Sequence, residues 1–381
     1  MRKVLLGTTA MVAAGMLASA PSAIAAEKLK LGVSGYMEQW FGYTAQDGVS
    51  GQDFSGFNQI MDAEVFFKGS TELDNGLTVG VDVQLEGNTG GDTIDESYMW
   101  ISGSFGQFIL GSENSAQYKM GYGPSDFGIG LISGDQPSWV TPIADAEGDK
   151  INLTGKGYWR NPMGSSSWVE VLGMNDTQGI SYYTPRFQGV QIGLTYTPEA
   201  SGAGEDNGSM GNRDTDNTDA ISAGINYKQS FDNATVGASL GYGTVTRTMA
   251  ADDSDPTALS MGLTVGVGGF GIGASYATFD DSGVKNGEGY AVGANYAMGP
   301  WGLSLTYFHG ERDGTMDMAG NLMDQAAANT VHLSAKYALG PGVTAKGTLG
   351  HASIESDDTA IDPSVDDISA TYLVVGVAVS Y

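Results

Sequence analysis

The last nine residues, LVVGVAVSY at 373–381, show the pattern that decides the fold. Leu373, Val375, Val377, Val379 and Tyr381 share one face of an extended chain, and small residues predominate on the other. The same alternation recurs at 190–196 and 331–337. A soluble β-sandwich also alternates, but here the polar faces are mainly Gly, Ser, Thr, Asn and Gln. This composition favours a barrel with apolar residues outside and polar residues inside.

Between Leu31 and Tyr381 the chain repeats one unit of two short strands, a tight turn and a long polar loop. Turn sequences rich in Gly, Asn, Asp and Pro occur at 74–76, 105–107, 187–189, 231–233, 268–270, 298–300 and 340–342. With both termini on the turn side, these turns predict about 16 strands. We therefore predict an all-β fold, a 16-stranded antiparallel transmembrane β-barrel wide enough for an aqueous channel.

Composition argues against other membrane architectures and against division into domains. The sequence has 58 Gly and no Cys. After residue 26, no stretch approaches the roughly 20 apolar residues that a membrane helix needs. Because no linker or change of composition interrupts the chain, we predict one barrel domain at residues 26–381.

The first residues resemble a secretory signal. Arg2 and Lys3 precede an apolar run from Val4 to Ala20, and small residues follow at 23–25. We predict a Sec-type signal peptide at residues 1–25, cleaved on the way to the outer membrane. An uncleaved anchor is the alternative.

The third loop, at residues 114–177, is unusually long, because the spacing between the turns at 105–107 and 187–189 is nearly twice the spacing between the other turns. It contains seven aromatic residues: Tyr118, Tyr122, Phe127, Trp139, Tyr158, Trp159 and Trp168. So many aromatic side chains should pack against a surface. We predict that the loop folds into the lumen and narrows the pore; a cap over the mouth is the alternative.

The formal net charge of -27 makes nucleic-acid binding very unfavourable. Many acids lie in the predicted outer loops, including Asp252, Asp253, Asp255, Asp357, Asp358, Asp362, Asp366 and Asp367. They could simply solvate the loops. Alternatively, they could loosely bind Ca²⁺ or Mg²⁺ and so bridge the protein to lipopolysaccharide phosphates.

The chain resembles a known family in three places. These are YMWISGSFG at 98–106, GISYYTPRF at 179–187 and the aromatic C-terminus. In this order they resemble the general porins of Gram-negative outer membranes, in their alphaproteobacterial branch. The resemblance implies a homotrimer, passive diffusion, a C-terminal strand read by the β-barrel assembly machinery, and loop acids facing wall bases across an eyelet.

Candidate constriction residues follow from this resemblance and from strand phase. The segment Pro124–Gly128 is similar to a Pro-Glu-Phe-Gly-Gly motif of the family, so Asp126 and Asp135 are candidate eyelet acids; solvated loop carboxylates are the alternative. The inward phase of the early strands contains Asp62, Glu64, Lys68, Asp82 and Glu86.

This predicted wall carries more acid than base, whereas the resemblance implies bases, and we therefore expect a weak cation preference. Arg160 and Arg186 could add positive charge to the eyelet, with ordinary salt bridges as the alternative.

Other function classes receive less support. Trp100 on the inward phase keeps a substrate-specific channel for sugars or other small solutes open, and a plugged, adhesive barrel is a third class. His332 and Ser334 have the spacing of outer-membrane phospholipases, but their phase turns them toward the lumen. The Gly-rich run at 266–271 straddles a predicted turn and precedes no helix. We predict no enzyme and no cofactor.

Overall fold

The structure is a computed structural model. It describes residues 28–48, 53–88, 93–130, 139–140, 174–200, 217–247, 255–280, 287–312, 315–316, 322–323, 326–356 and 367–381. The predicted signal peptide lies outside these residues.

Sixteen strands form one closed antiparallel barrel, which confirms the predicted fold class. The barrel strands are β1 (Gly32–Gln46), β2 (Gly56–Glu72), β3 (Thr78–Glu86), β4 (Ile94–Gly103), β5 (Gly106–Glu113), β6 (Thr177–Tyr183), β7 (Val190–Glu199), β8 (Asn217–Phe231), β9 (Ala234–Arg247), β10 (Thr257–Val267), β11 (Phe270–Asp280), β12 (Gly287–Met298), β13 (Trp301–Arg312), β16 (Ala326–Gly340), β17 (Val343–Ser356) and β18 (Asp367–Ser380). Among the described residues, two further strands, β14 (Thr315–Met316) and β15 (Leu322–Met323), pair with each other and not with the barrel. Each barrel strand pairs with its sequence neighbours in the barrel, so the topology is a simple meander.

The barrel closes where β1 meets β18. Tyr36 lies opposite Ser380, and the pairing continues along both strands to Gln46 and Ala370. The backbones of Gly35 and Tyr381 exchange two hydrogen bonds of 3.0 Å. Closure leaves no free sheet edge, and every strand can satisfy its backbone groups inside the sheet.

The strands alternate between two environments. On β16, Leu333 is 53% exposed on the outer face, while its neighbours His332 and Ser334 are almost fully buried inside. The predicted outer face of β18 is likewise exposed from Leu373 to Tyr381. Apolar residues therefore face outward, as the period-two pattern predicts.

Tight turns join the strands on one side of the barrel. Gly268 has a φ of +60° between β10 and β11, a conformation that glycine adopts without steric cost. The Gly-rich run at 266–271 therefore forms a hairpin, which is where the sequence places it. In the part of the chain described, no helix is long and apolar enough to cross a membrane.

The length of the strands varies around the barrel. Strands β3 to β6 have 7 to 10 residues, whereas β1, β2, β8, β9 and β16 to β18 have 14 to 17. A tilted strand needs about 9 to 11 residues to cross a bilayer. The short strands thus form one low side of the barrel.

Candidate functional site

The described part of the third loop lies against the inner wall, and backbone hydrogen bonds hold it there. Five loop N–H groups donate to hydroxyl groups on five strands: Ala116 to Thr195 (2.9 Å), Gln117 to Ser222 (2.8 Å), Tyr122 to Ser239 (2.9 Å), Phe127 to Ser304 (2.9 Å) and Ile129 to Thr348 (3.1 Å). The contacts pass from β7 through β17, so residues 116–129 follow the wall around much of its circumference. Residues 131–138 and 141–173 of the loop lie outside the described part.

Glycines on the inward face make room for the loop. A Cβ atom at Gly262 on β10 would overlap the backbone oxygen of Tyr122, and one at Gly273 on β11 would lie 2.7 Å from the Cα of Pro124. Ser222 and Thr348 are nearly inaccessible because the loop covers them. Many of the small wall residues are therefore covered by the loop rather than by water. We call this inward surface of β7 to β17 the loop bed.

A single helical turn begins the loop. This helix, α1 (Ala116–Lys119), places the Gln117 side chain against β10, where its amide donates to the Ala258 carbonyl at 3.1 Å. The Lys119 ammonium contacts the Glu113 carboxylate at the end of β5. The start of the loop is thus fixed to both flanking regions of the barrel.

Asp126 connects the loop to β13 and β16 and, through His332, to β18. Its Oδ2 atom lies 2.7 Å from His332 Nδ1 on β16 and accepts a hydrogen bond of 3.2 Å from the Thr306 hydroxyl on β13. His332 Nε2 lies 2.7 Å from the Tyr372 hydroxyl on β18. The side chains of Asp126 and His332 are 1% and 0% exposed. We call Asp126, His332 and Tyr372 the loop latch.

The environment of Asp126 favours its ionised form. Burial alone would raise the pKa of this carboxyl, but the hydrogen bond and charge of His332 oppose it, together with hydrogen bonds from the Gly128 amide and Ser334. These interactions hold the pKa below its ordinary value of 3.8. Asp126 is therefore a buried, partnered carboxylate.

An apolar cluster lies beside the loop latch, inside the barrel. Ile129, Trp139 and Val140 of the loop pack among buried wall residues that include Trp40 and Phe308. The Trp139 carbonyl also accepts a 2.9 Å hydrogen bond from Thr44 on β1. The loop thus buries aromatic surface inside the barrel.

The wall formed by β1 to β5 is rich in acids. Apart from Glu72 at the end of β2, its carboxylates belong to Glu38, Asp62, Glu64, Asp82, Glu86, Asp95, Glu96 and Glu113. Glu64 lies directly opposite Glu86, and one carboxylate oxygen each of Glu64, Glu86 and Asp95 lies within 4.8 Å of the others. The Tyr36 hydroxyl bridges the group, lying 3.1 Å from Asp62 and 2.7 Å from Glu64. We call this surface the acidic wall.

Besides Lys119, which contacts Glu113, two lysines of the lumen pair with acids of the acidic wall. Lys68 lies 3.0 Å from Asp82 and 4.2 Å from the centre of the Phe66 ring. Lys346 on β17 lies 2.5 Å from Glu38 and 5.6 Å from the centre of the Trp40 ring. The structure therefore brings together Asp62, Glu64, Lys68, Asp82 and Glu86, the five wall residues selected from strand phase.

The remaining candidates have other locations. Arg186 lies beside the turn at 187–189, where it donates to the Gly189 carbonyl at 2.7 Å and to Asn226 Oδ1 at 2.8 Å. Asp135 and Arg160 lie outside the described residues. Ser334 is 3.0 Å from the Thr348 hydroxyl, and His332 contacts Asp126, so this pair belongs to the loop bed.

Sequence reasoning missed several members of both surfaces. Glu38 occupies the inward phase of β1, so its alternation could have identified it. Asp95 could not be assigned in this way, because the pairing of β3 with β4 shifts register between Val83 and Leu85. His332 was recognised as facing the lumen, but its contact with Asp126 joins residues 206 positions apart.

Comparison with known proteins gives the identity of this barrel. A family model described as Gram-negative porin matches residues 7–359. The chain belongs to the Gram-negative porin family. This membership, together with the closed barrel, makes the protein an outer-membrane channel and not an enzyme.

Solved structures show the same fold. An anion-selective porin from Comamonas acidovorans has a TM-score of 0.60 at 16% identity, covering 93% of this chain and 100% of that one. The outer-membrane channel DcaP of Acinetobacter baumannii has a TM-score of 0.57 at 11% identity, covering 93% and 97%. OmpT of Vibrio cholerae, in a trimer form, has a TM-score of 0.54 at 12% identity, covering 93% and 100%. The search of curated proteins finds no match.

Proposed function

We propose that this porin is a water-filled channel for passive diffusion of small hydrophilic solutes and ions, with a weak preference for cations. The acidic wall is the observation that carries the proposal. The eight carboxylates of the acidic wall lie on one side of the barrel, and Lys68, Lys119 and Lys346 offset part of their charge. A narrow path with low-dielectric walls concentrates the field of such carboxylates and raises the local concentration of cations.

The loop contributes shape more than charge to this proposal. Asp126 is buried and faces His332, so its carboxylate is shielded from a solute path. The cation preference should therefore arise mainly from Asp62, Glu64 and Glu86 on the acidic wall. Asp135, Arg160 and Arg186 remain candidate contributors to the eyelet.

Single-channel recording in planar bilayers tests the proposal. The wild type should conduct, and its reversal potential across a potassium chloride gradient should lie on the potassium side of zero. The triple variant Asp62→Asn, Glu64→Gln and Glu86→Gln should move it toward the chloride side, while Asp74→Asn at an exposed turn should leave it unchanged. Anion preference in the wild type would refute the charge assignment, and folded but silent protein would refute the channel itself.

A substrate-specific channel is a second candidate, because aromatic rings alternate with carboxylates on the acidic wall. The Tyr36 and Phe66 rings lie 6.1 Å apart beside Asp62 and Glu64. Such a surface offers both ring faces and charges to a solute. Current that saturates with one solute, and is blocked by it, would favour this candidate over general diffusion.

We also propose a homotrimer that is joined through the low side of the barrel. Strands β5 and β6, with 8 and 7 residues, are too short to span the apolar layer, so a neighbouring copy would shield this side from lipid. On β1 and β2, the long strands next to this low side, the outward pair Gln39 and Gln59, hydrogen-bonded at 3.0 Å, is also polar for a lipid-facing position. Light scattering of detergent-purified protein should give three copies, and a monomeric mass would contradict the proposal.

The route to the membrane and the contacts there complete the proposal. Residues 1–25 would be the Sec-type signal peptide of an alphaproteobacterial porin, and the outer face of β18 would be the signal for the β-barrel assembly machinery. Acidic outer loops would hold Ca²⁺ or Mg²⁺ against lipopolysaccharide. N-terminal sequencing of protein from outer membranes tests the cleavage, and loss of bound lipopolysaccharide on chelation tests the cation bridge.

A further inference from the structure

The loop latch joins the third loop to strands β13, β16 and β18. Asp126 is in the loop, Thr306 on β13, His332 on β16 and Tyr372 on β18. The Tyr372 ring lies over Gly350 on the strand between the last two, and meets the His332 ring edge-on at 83°. One carboxylate of the loop is therefore tied directly to β13 and β16 and, through His332, to β18.

The hydrogen bonds of the loop latch are mutually consistent. A carboxylate only accepts, and Asp126 accepts from the Gly128 amide at 2.8 Å and from the Thr306 hydroxyl. The Nδ1 atom of His332 must therefore carry a proton and donate it to Asp126. Nε2 accepts from the Tyr372 hydroxyl when the ring is neutral and donates to that oxygen when the ring is charged, so both ring nitrogens are satisfied in either state.

Because the loop latch is buried, the loss of one of its hydrogen bonds should be energetically costly. His332 and Tyr372 are both 0% exposed, and the apolar cluster around Ile129 and Trp139 lies beside them. If His332 is removed, the buried Asp126 carboxylate loses its charge-assisted hydrogen bond and gains nothing in exchange. Lifting the loop tip into water would hydrate the carboxylate again. Removal of His332 should therefore shift the equilibrium of the loop tip from a position on the wall toward a position in water.

We propose that Asp126, His332 and Tyr372 are the positioning residues that hold the tip of the third loop on the wall and so set the width of the open pore. This rests on the proposed channel function, because a pore width has meaning only for a conducting barrel. The five backbone hydrogen bonds along the loop bed align residues 116–129 with the wall. The loop latch holds the tip of the loop in place.

Thiol labelling reports the seating of the loop without requiring current. The chain contains no cysteine, so Ile129→Cys provides a single thiol at a site that is 3% exposed. In the protein that carries Ile129→Cys, the further change His332→Phe should accelerate labelling by a water-soluble maleimide by about tenfold or more. This is the effect expected if the loop loses a strong contact with the wall. Tyr372→Phe keeps the ring and should give a smaller increase. His351→Phe, on the outer face of β17, is the matched control and should give none.

Folded protein must be compared, and heat-modifiable migration in detergent gels identifies it. If His332→Phe does not fold, Tyr372→Phe and Thr306→Val carry the same test. An unchanged labelling rate in a folded latch variant overturns the proposal.

Current recordings distinguish a failure of the loop-latch proposal from a failure of the channel function on which it rests. A silent wild type would remove the pore proposal, while the labelling result would still show whether the loop latch holds the loop. If the wild type conducts, His332→Phe should close more often and at lower voltage. Steady wild-type current in that variant, despite faster labelling, would show that the loop latch does not set the pore width.

Discussion

The loop bed and the acidic wall are built from the same kind of strand but have opposite characters. On the loop bed, small residues such as Gly262 and Ser304 receive a segment of the chain itself. On the acidic wall, Glu64 and Glu86 face each other across neighbouring strands. One side of the lumen is thus a packing surface, held by hydrogen bonds to hydroxyl groups, by the loop latch and by buried rings, and the other is a surface rich in carboxylates. The shape of the lumen and its charge can therefore be changed by separate substitutions, on the loop bed and on the acidic wall.

The largest effect on the loop bed should come from Gly262→Ala. A Cβ atom there overlaps a backbone oxygen of the loop, which cannot rotate away, so the loop or β10 must shift. We expect a loss of about 1 to 3 kcal/mol in the free energy of unfolding, typical of overpacking. Gly340→Ala is the control, because a Cβ at that position meets nothing within 4 Å. Urea unfolding of both variants in detergent gives the comparison, and equal stabilities would show that the loop does not press on β10.

A smaller effect is expected where the loop bed supplies only a hydroxyl. Ser304→Ala removes the acceptor for the Phe127 amide, and one such hydrogen bond is worth about 1 kcal/mol. Ser70→Ala, at an exposed position of β2 near the acidic wall, should change stability little. The same unfolding measurement distinguishes them. If the Ser70 variant were as unstable as the Ser304 variant, a hydroxyl on the loop bed would contribute no more to the free energy of unfolding than one near the acidic wall.

The smallest effect belongs to the charge of the acidic wall. Lys68→Met removes one ammonium that lies 3.0 Å from Asp82, so the wall gains one net negative charge. The reversal potential should move slightly further toward the potassium limit, by less than the opposite shift of the triple acid variant. Lys228→Met, on β8 away from the acidic wall, serves as the control. A shift toward chloride would mean that Lys68 does not act through this wall.

Much of the barrel could be predicted from local sequence. Alternation along 331–337 and 373–381 identifies strands and their outer faces, because successive side chains of any strand point to opposite sides. Turns such as 268–270 are marked by glycines with the conformational freedom that hairpins need. The inward placement of Asp62, Glu64, Lys68, Asp82 and Glu86 follows from the same phase.

The role of Asp126 was less predictable. Its position in a motif similar to Pro-Glu-Phe-Gly-Gly predicts a carboxylate at the eyelet. The structure adds that its side chain is 1% exposed and faces His332. No local pattern reports this contact, since the two residues are far apart in sequence and belong to a loop and a strand.

The sequence by itself determined that this protein is a barrel, which residues face outward, and that one side of the lumen is acidic, because strand periodicity is a local property. Only the tertiary structure decided which inward residues meet water and which meet the loop. The same Gly, Ser and Thr residues would suit a water-lined wall or a packing surface equally well. What separates the two is the path of residues 114–130 across β7 to β17, and that path depends on hydrogen bonds and buried surface between segments distant in the chain.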